Sequence, residues 1–257
     1  MTLYRQEERP GRIRPSRLDR LLRPIHGWVW DDPRRRARKL LRFAETEADG
    51  GRDLCRAAEL TSDGLLRRLY LRHASDEHRH AELFRKRGRA LIRGLPRAAE
   101  TSFEANWFAP GERGLDDLRV DGENDAALLA FLHLSEKAAA GRFALYQDVL
   151  AADPETQAVF STILRDEIFH MTYTHQQLTR VAPRKWSARL WKARLGRLSK
   201  AYLRMAAAVA ALLGTLMLLL QYALFLPPFA WLAKRKAQRE PQGWFAARPG
   251  TPLRSQY

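Results

Sequence analysis

Between residues 33 and 180, apolar positions recur at the three- and four-residue spacing of amphipathic helices. Four helices are predicted, at about 33–60, 62–94, 123–151 and 154–180. Asp32 followed by Pro33 starts the first, Thr61 or Ser62 the second, and Asp153 with Pro154 the fourth. The joints near 61 and at 152–154 are short, so the helices form two antiparallel pairs. Residues 95–122, with Pro96, Pro110, Gly111, Gly114 and Gly122, form one long connection. Two helical hairpins joined by a crossover describe a four-helix bundle, and the expected fold class is all-α.

The pattern changes outside this block. Residues 1–32 hold Pro10, Pro15 and Pro24 among arginines with little periodicity. They read as a basic, extended N-terminal arm: a solvated tail, with a membrane-surface or packing role as the competing reading. In residues 181–204, Trp186, Leu190, Trp191, Leu195, Leu198 and Tyr202 are placed near one helical face. Lys185, Arg189, Lys192, Arg197 and Lys200 supply much of the polar surface. Such a basic amphipathic helix lies well on anionic headgroups.

Residues 206–233 then contain no charged side chain over 28 positions, where about 20 suffice to span a bilayer. Pro227 and Pro228 divide the run and leave 206–226 as an apolar helix. Residues 205–233 are therefore read as a hydrophobic membrane segment, either one membrane helix or a re-entrant hairpin bent at the prolines. The rival reading is a helix buried in a dimer or over an apolar cavity. A basic tail, 234–257, follows.

Charge sharpens this division. The 257 residues carry 45 Lys and Arg against 29 Asp and Glu, a net of +16. That total ordinarily points to nucleic acid or an anionic surface. Its distribution argues for the surface: +8 in residues 1–42, −6 in 43–179 and +14 in 180–257. An acidic centre between basic ends does not suit a nucleic-acid enzyme, and no nucleic-acid partner is expected. The single cysteine, Cys55, excludes an intramolecular disulfide and any four-cysteine metal site. No apolar stretch near the start resembles a signal peptide. With basic residues flanking the apolar run, the expected location is the cell inner membrane, with the bundle on the cytoplasmic side.

Carboxylates stand where the bundle's hydrophobic seam should be. Glu47 sits among Leu40, Phe43, Ala44, Gly50, Gly51, Leu54 and Ala58. Its rival, Glu45, points with Arg38, Arg42 and Arg52. Glu77 shares a face with Tyr70, Ala74, Ala81 and Phe84, and His80 follows three positions later. Glu136 lies with Leu129, Leu132, His133, Ala139, Ala140 and Phe143. Glu167 and His170 lie with Phe160, Ile163, Leu164 and Thr174. Spacing of 30 residues from Glu47 to Glu77, and 31 from Glu136 to Glu167, makes the hairpins near-repeats of one unit. One Glu-x-x-His is a weak signal; two, each preceded by a seam glutamate, are a strong one. Four carboxylates converging with two imidazoles would repel strongly without cations, and two divalent metals supply the compensation. Oxygen and imidazole donors suit iron or manganese.

Around this set, Asp76 and Asp166 precede the two motif glutamates at matching positions, so each could hold a ligating histidine of the opposite hairpin. Exposed pairing with Arg79 or Arg165 is the alternative. His73 and His133 read first as satisfied core histidines, with extra-ligand or proton-relay roles open. Tyr70, Tyr146 and Tyr173 read first as packing, and His78 and His175 as peripheral. Gly50 and Gly51 mark a kink or a close helix approach, at a helix cost of about 1 kcal/mol each.

Over residues 33–180 the chain resembles the ferritin-like superfamily of diiron carboxylate proteins. The resemblance rests on Glu47, Glu136, and the runs DEHRH and DEIFH that contain Glu77, His80, Glu167 and His170. It implies two iron ions, with manganese or a mixed pair as variants. Glu77 and Glu167 would bridge them, Glu47 and Glu136 would be the lone carboxylate ligands, and His80 and His170 would each bind one metal. Glu77, Glu167 and Glu136 would form the catalytic set. Rubrerythrins share the plan but often carry a four-cysteine module that Cys55 alone cannot build. Membrane-bound quinone-biosynthesis hydroxylases share it too, without this kind of C-terminal extension. The expected activity is that of a monooxygenase or desaturase acting with dioxygen and an external electron donor on a lipid-like or quinone-like molecule at an anionic membrane. A rubrerythrin-like peroxidase or ferroxidase and a non-enzymatic membrane scaffold are the alternatives, and a homodimer is left open.

Overall fold

The computed structural model describes residues 13–96 and 124–237. Among these the regular structure is helical throughout, in the order α1 (Arg17–Leu21), α2 (Arg23–Asp31), α3 (Pro33–Leu60), α4 (Gly64–Arg93), α5 (Asp125–Val149), α6 (Pro154–Val181) and α7 (Trp186–Ala237). Most of the long connection, and most of the basic tail, lie outside the described residues. The chain divides into two compact units after Lys200.

In the first unit α3 packs on α4, α5 packs on α6, and α4 meets α6 across the bundle. Local chemistry sets the ends. The Asp32 carboxylate accepts from Arg35 N at 2.8 Å and Pro33 opens α3. Asn124 caps α5 by accepting from Ala127 N at 2.9 Å. The second long helix starts later than Thr61 or Ser62. Asp63 is its cap, accepting from Leu65 N and Leu66 N. Thr61 is occupied elsewhere: its hydroxyl donates to Asp125 at 2.8 Å and ties the two hairpins at one end.

At the other end Asp153 does three jobs. It caps α6 by accepting from Thr156 N at 3.1 Å, and it binds Arg36 of α3 at 2.5 Å and Arg87 of α4 at 2.9 Å. Burial alone would raise its pKa. The Thr156 hydroxyl and amide and the Arg87 guanidinium outweigh burial and hold it at about 2.

The residues expected to form an extended arm are helical from Arg17 to Asp31, apart from Leu22. Ser16 caps α1, and Pro24 falls in the first turn of α2, where its missing N–H costs nothing. Trp30 of α2 is buried against Phe43, Tyr146 and Phe160, and so closes one end of the bundle. Two apolar clusters result. One gathers Leu54, Leu66, Tyr70, Leu129, Tyr173 and Leu178. The other gathers Trp30, Leu40, Phe84, Phe143, Phe160 and Ile163.

Gly51 lets α3 and α4 approach closely. A Cβ there would lie 2.6 Å from the His78 ring and 3.2 Å from Ala74 O. The expected close approach therefore occurs at Gly51.

The start of α7 belongs to the first unit, and it separates the residues assigned to one interfacial face. Trp186, Leu190, Ala193 and Arg197 recur at helical spacing toward the bundle: Leu190 is buried, Trp186 and Ala193 pack on the first cluster, and Arg197 bonds the Ser135 hydroxyl. Trp191, Leu195, Leu198 and Tyr202 follow the same spacing five positions on, and all four are exposed. In the second unit the helix continues to Ala237 and passes through Pro227 and Pro228 without ending. Proline's fixed φ is a helical one, so the prolines remove backbone donors without forcing a hairpin. This segment is long and apolar enough to cross a membrane, and its apolar window is not buried within the protein.

Replacing Asp153 by Ala is expected to lower unfolding free energy by about 2 kcal/mol, because it uncaps α6 and removes the carboxylate shared by Arg36 and Arg87, which keep their contacts to Trp30 O and to Glu155 and Thr156. The contribution should be complete above the ordinary aspartate range near 3.8 and lost only as pH falls through about 2. Chemical denaturation of the full chain in detergent measures both, and an unchanged midpoint would count against the network.

Candidate metal centre

Between the two apolar clusters lies a polar layer. Glu47 falls between Ala44 and Leu54 on α3, Glu77 and His80 between Ala74 and Phe84 on α4, Glu136 between Leu132 and Phe143 on α5, and Glu167 and His170 between Ile163 and Tyr173 on α6. Each helix thus turns apolar side chains inward above and below, and acids or imidazoles in the middle. Glu77, His80, Glu136, Glu167 and His170 are buried, and Glu47 is partly exposed.

Two groups of donor atoms converge there. One comprises His73, Glu77, Glu136 and His170, and the other Glu47, Glu77 and His80. Within each group the donor atoms lie within 4.8 Å of one another. Glu77 belongs to both. Glu167 falls in neither group, but its Oε1 stands 3.9 Å from His80 Nδ1. Glu45, the rival of Glu47, instead pairs with Arg85 at 3.2 Å.

The histidines are held from outside. His80 Nε2 meets Asp166 Oδ2 at 3.1 Å, and His170 Nε2 meets Asp76 Oδ2 at 3.3 Å. Each aspartate comes from the opposite hairpin. Arg79 donates to both, at 2.7 Å to Asp76 and 3.0 Å to Asp166. The two readings offered for these aspartates, histidine partner and arginine pair, are therefore both present. With Nε2 engaged, the Nδ1 atoms of His80 and His170 face inward and have no hydrogen-bond partner, and neither does Glu167 Oε2. Buried polar atoms are rarely left so. Carboxylate oxygens and imidazole nitrogens, oriented by aspartates, fit divalent iron or manganese.

Electrostatics point the same way. Burial, and then Glu136, Glu77 and Glu47, push Glu167 well above the ordinary carboxylate range. Burial raises Glu136 as well, although His73 opposes it. Burial lowers His80 and His73, and burial with the neighbouring His73 lowers His170 further, so all three favour the neutral form that binds metal.

The sequence favours His73 as a satisfied core histidine and Tyr173 as packing, with an extra-ligand or relay role open for His73; both are buried, and both face the site. His73 Nε2 lies 3.0 Å from Glu77 Oε1 and 3.6 Å from Glu136 Oε1, and its Nδ1 lies 2.8 Å from the Tyr173 hydroxyl. The available signal was its position one turn before Glu77, on the same face. His133 bonds Met171 O, and its ring lies 5.1 Å from that of His175 at a tilt of 51°; His175 in turn meets Trp186 edge-on. Tyr70 bonds Asp125, and Tyr146 sits in the aromatic cluster around Trp30.

An all-helical bundle around a buried His and Glu cluster is consistent with a ferritin-like, diiron-binding class of protein. No family model, curated protein or solved structure matches the chain.

The cluster sets a pH dependence for metal-free protein. Glu136 and Glu167 have raised pKa values in the fold, so the stability they contribute is complete below about 4.5 and falls as pH rises through their folded values. The lowered histidines cost stability only below about 6.5. Metal-free protein should therefore lose the carboxylates' contribution to thermal stability as pH rises above about 4.5, against an opposing gain from the histidines that ends near 6.5. Divalent iron or manganese should remove the carboxylate part of that dependence. A metal-free pH profile unchanged by Glu136→Gln and Glu167→Gln would contradict the compensation argument.

Proposed function

We propose that this protein is a membrane-associated diiron oxidoreductase that uses dioxygen to hydroxylate or desaturate a lipid-like or quinone-like molecule. The observation that carries the reading is the layer of buried Glu77, His80, Glu136, Glu167 and His170 with the partly exposed Glu47, in which the inward Nδ1 atoms lack partners. Bound iron would supply the activation of dioxygen and the electron chemistry. Manganese or a mixed pair would suit the same donors.

The chain's own part is positional. Glu77 is placed to bridge, because it reaches both donor groups. Glu167 is assigned the second bridge on its burial and its unpartnered Oε2. Glu136 completes the catalytic set. Asp76, Asp166 and Arg79 hold the histidine rings. The apolar clusters on either side exclude water and suit an apolar substrate.

The membrane assignment rests on α7. Its apolar stretch is long enough to span a bilayer, and the exposed stripe Trp191, Leu195, Leu198 and Tyr202 precedes it among basic residues. The basic residues flanking the span support a bundle on the cytoplasmic side of the inner membrane. Electrons come from an external donor.

Natively purified full-length protein is expected to carry two metal ions per chain. With a reductant and membrane-lipid extract it should consume dioxygen and transfer isotopically labelled oxygen into an organic product, or form a new double bond in one. Glu77→Ala and Glu167→Ala should abolish both metal loading and turnover while the helical content persists. Peroxide or ferrous-ion turnover without an organic product would transfer the protein to the peroxidase or ferroxidase class. Absence of stoichiometric metal would leave a membrane scaffold.

A further inference from the structure

The two donor groups are not alike. The Glu47 side offers one imidazole, His80, and a partly exposed carboxylate. The other side offers two imidazoles, His73 and His170, with Glu136, and every one of these residues is buried. The six-residue plan that repeats between the hairpins has no place for His73, because the second hairpin has no histidine at the matching position before Glu167. Position 163 there is Ile163.

His73 is nonetheless built into the site. Its ring lies against His170 with centroids 3.6 Å apart and planes 29° apart. Its Nε2 faces Glu77 and Glu136 at 3.0 and 3.6 Å. Two donors each about 2.1 Å from one ion lie at most about 4.2 Å apart, so these separations suit donors sharing an ion. The opposite nitrogen, Nδ1, meets the buried Tyr173 hydroxyl at 2.8 Å.

A tyrosine hydroxyl both donates and accepts, which matters here. With the proton on Nε2, His73 donates to Glu77 and Tyr173 donates to Nδ1. With the proton on Nδ1, His73 donates to the Tyr173 oxygen, and Nε2 turns a lone pair toward Glu77 and Glu136. Only the second arrangement can bind a cation through Nε2, and Tyr173 satisfies the ring in either.

We propose that His73 is a seventh protein ligand, positioned by Tyr173, and that it makes the two metal positions unequal. One is closed and rich in nitrogen (His73, His170, Glu136, Glu77). The other is richer in oxygen and partly open (Glu47, His80, Glu77). The nitrogen-rich position favours iron or cobalt, and the oxygen-rich one accepts manganese more readily. The open position is where a small exogenous ligand would enter. The proposal rests on the dimetal reading of this site.

The test uses full-length protein in detergent, stripped with a chelator and titrated anaerobically with Co(II), followed by absorption spectroscopy. Wild type should bind two ions in two distinguishable phases. His73→Ala should weaken one phase by more than about tenfold and leave the other unchanged. His80→Ala should weaken the other phase instead. Tyr173→Phe should weaken the same phase as His73→Ala, by about tenfold, since it removes only the partner of the ligand. Added imidazole should restore the lost phase in His73→Gly, which a purely structural role would not allow. Should His73→Ala fold poorly by circular dichroism, His73→Gln serves in its place, with the same expected loss. Two equal phases in wild type, or wild-type binding in the His73 and Tyr173 variants, would overturn the proposal and leave the dimetal centre standing. No stoichiometric binding by wild type would overturn both.

Discussion

Burying anions in the middle of an apolar bundle is the constraint on which the rest of this structure depends. Glu77, Glu136 and Glu167 are buried, with Glu47 close to them, and imidazole nitrogens lie 3.0 Å from Glu77, 3.6 Å from Glu136 and 3.9 Å from Glu167. A carboxylate in such surroundings must take up a proton, pair or meet a cation. The raised pKa values of Glu136 and Glu167 express the first route. At 3.9 Å from Glu167 Oε1 and 3.7 Å from Glu77 Oε1, the Nδ1 atoms of His80 and His170 gain no hydrogen bond from a proton on either acid as the side chains stand. A bound cation would satisfy both sets at once.

That constraint also explains why the two hairpins cross-link as they do. A ligand histidine must present one nitrogen inward, so its other nitrogen needs an acceptor. Asp166 serves His80 and Asp76 serves His170, each from the opposite hairpin. Arg79 joins the two aspartates and offsets their charge. Its attraction and the histidine contact hold Asp76 below the ordinary aspartate range even though burial works against this. The layer able to hold metal therefore also links α4 to α6.

Much of this arrangement was legible in the sequence because it obeys helical spacing. The four long helices, their short joints and the Glu-x-x-His pairs follow from residue period and capping chemistry. Three things did not follow, each for a physical reason. Pro24 and Pro15 looked like breaks, yet a proline in a helix's first turn breaks nothing, so α2 and its buried Trp30 were hidden. Trp186 and Trp191 looked like one face of a helix, but five residues carry a helix most of the way to its opposite side. One tryptophan packs on the bundle and the other is exposed. The ligand reading of His73 stayed one of several because it breaks the near-repeat between the hairpins, and its partners Tyr173 and Glu136 stand on other helices.

The helix hidden in the N-terminal arm bears directly on the site. A charged layer at the open end of a bundle would simply hydrate, and neither pKa displacement nor unpartnered nitrogens would arise. The layer here is shut in on both sides, and one closure is completed from outside the four long helices by Trp30 of α2 against Phe43, Tyr146 and Phe160. The residues that set the dielectric of the centre thus include one that neither the ligand motifs nor the four-helix pattern contains. Arg36 ties the same region together, donating to Trp30 O at 2.7 Å while pairing with Asp153. The arm's charge and its tryptophan have separate jobs: among the described residues Arg14, Arg17, Arg20 and Arg23 are exposed, and the Trp30 indole completes the apolar cluster on one side of the acids.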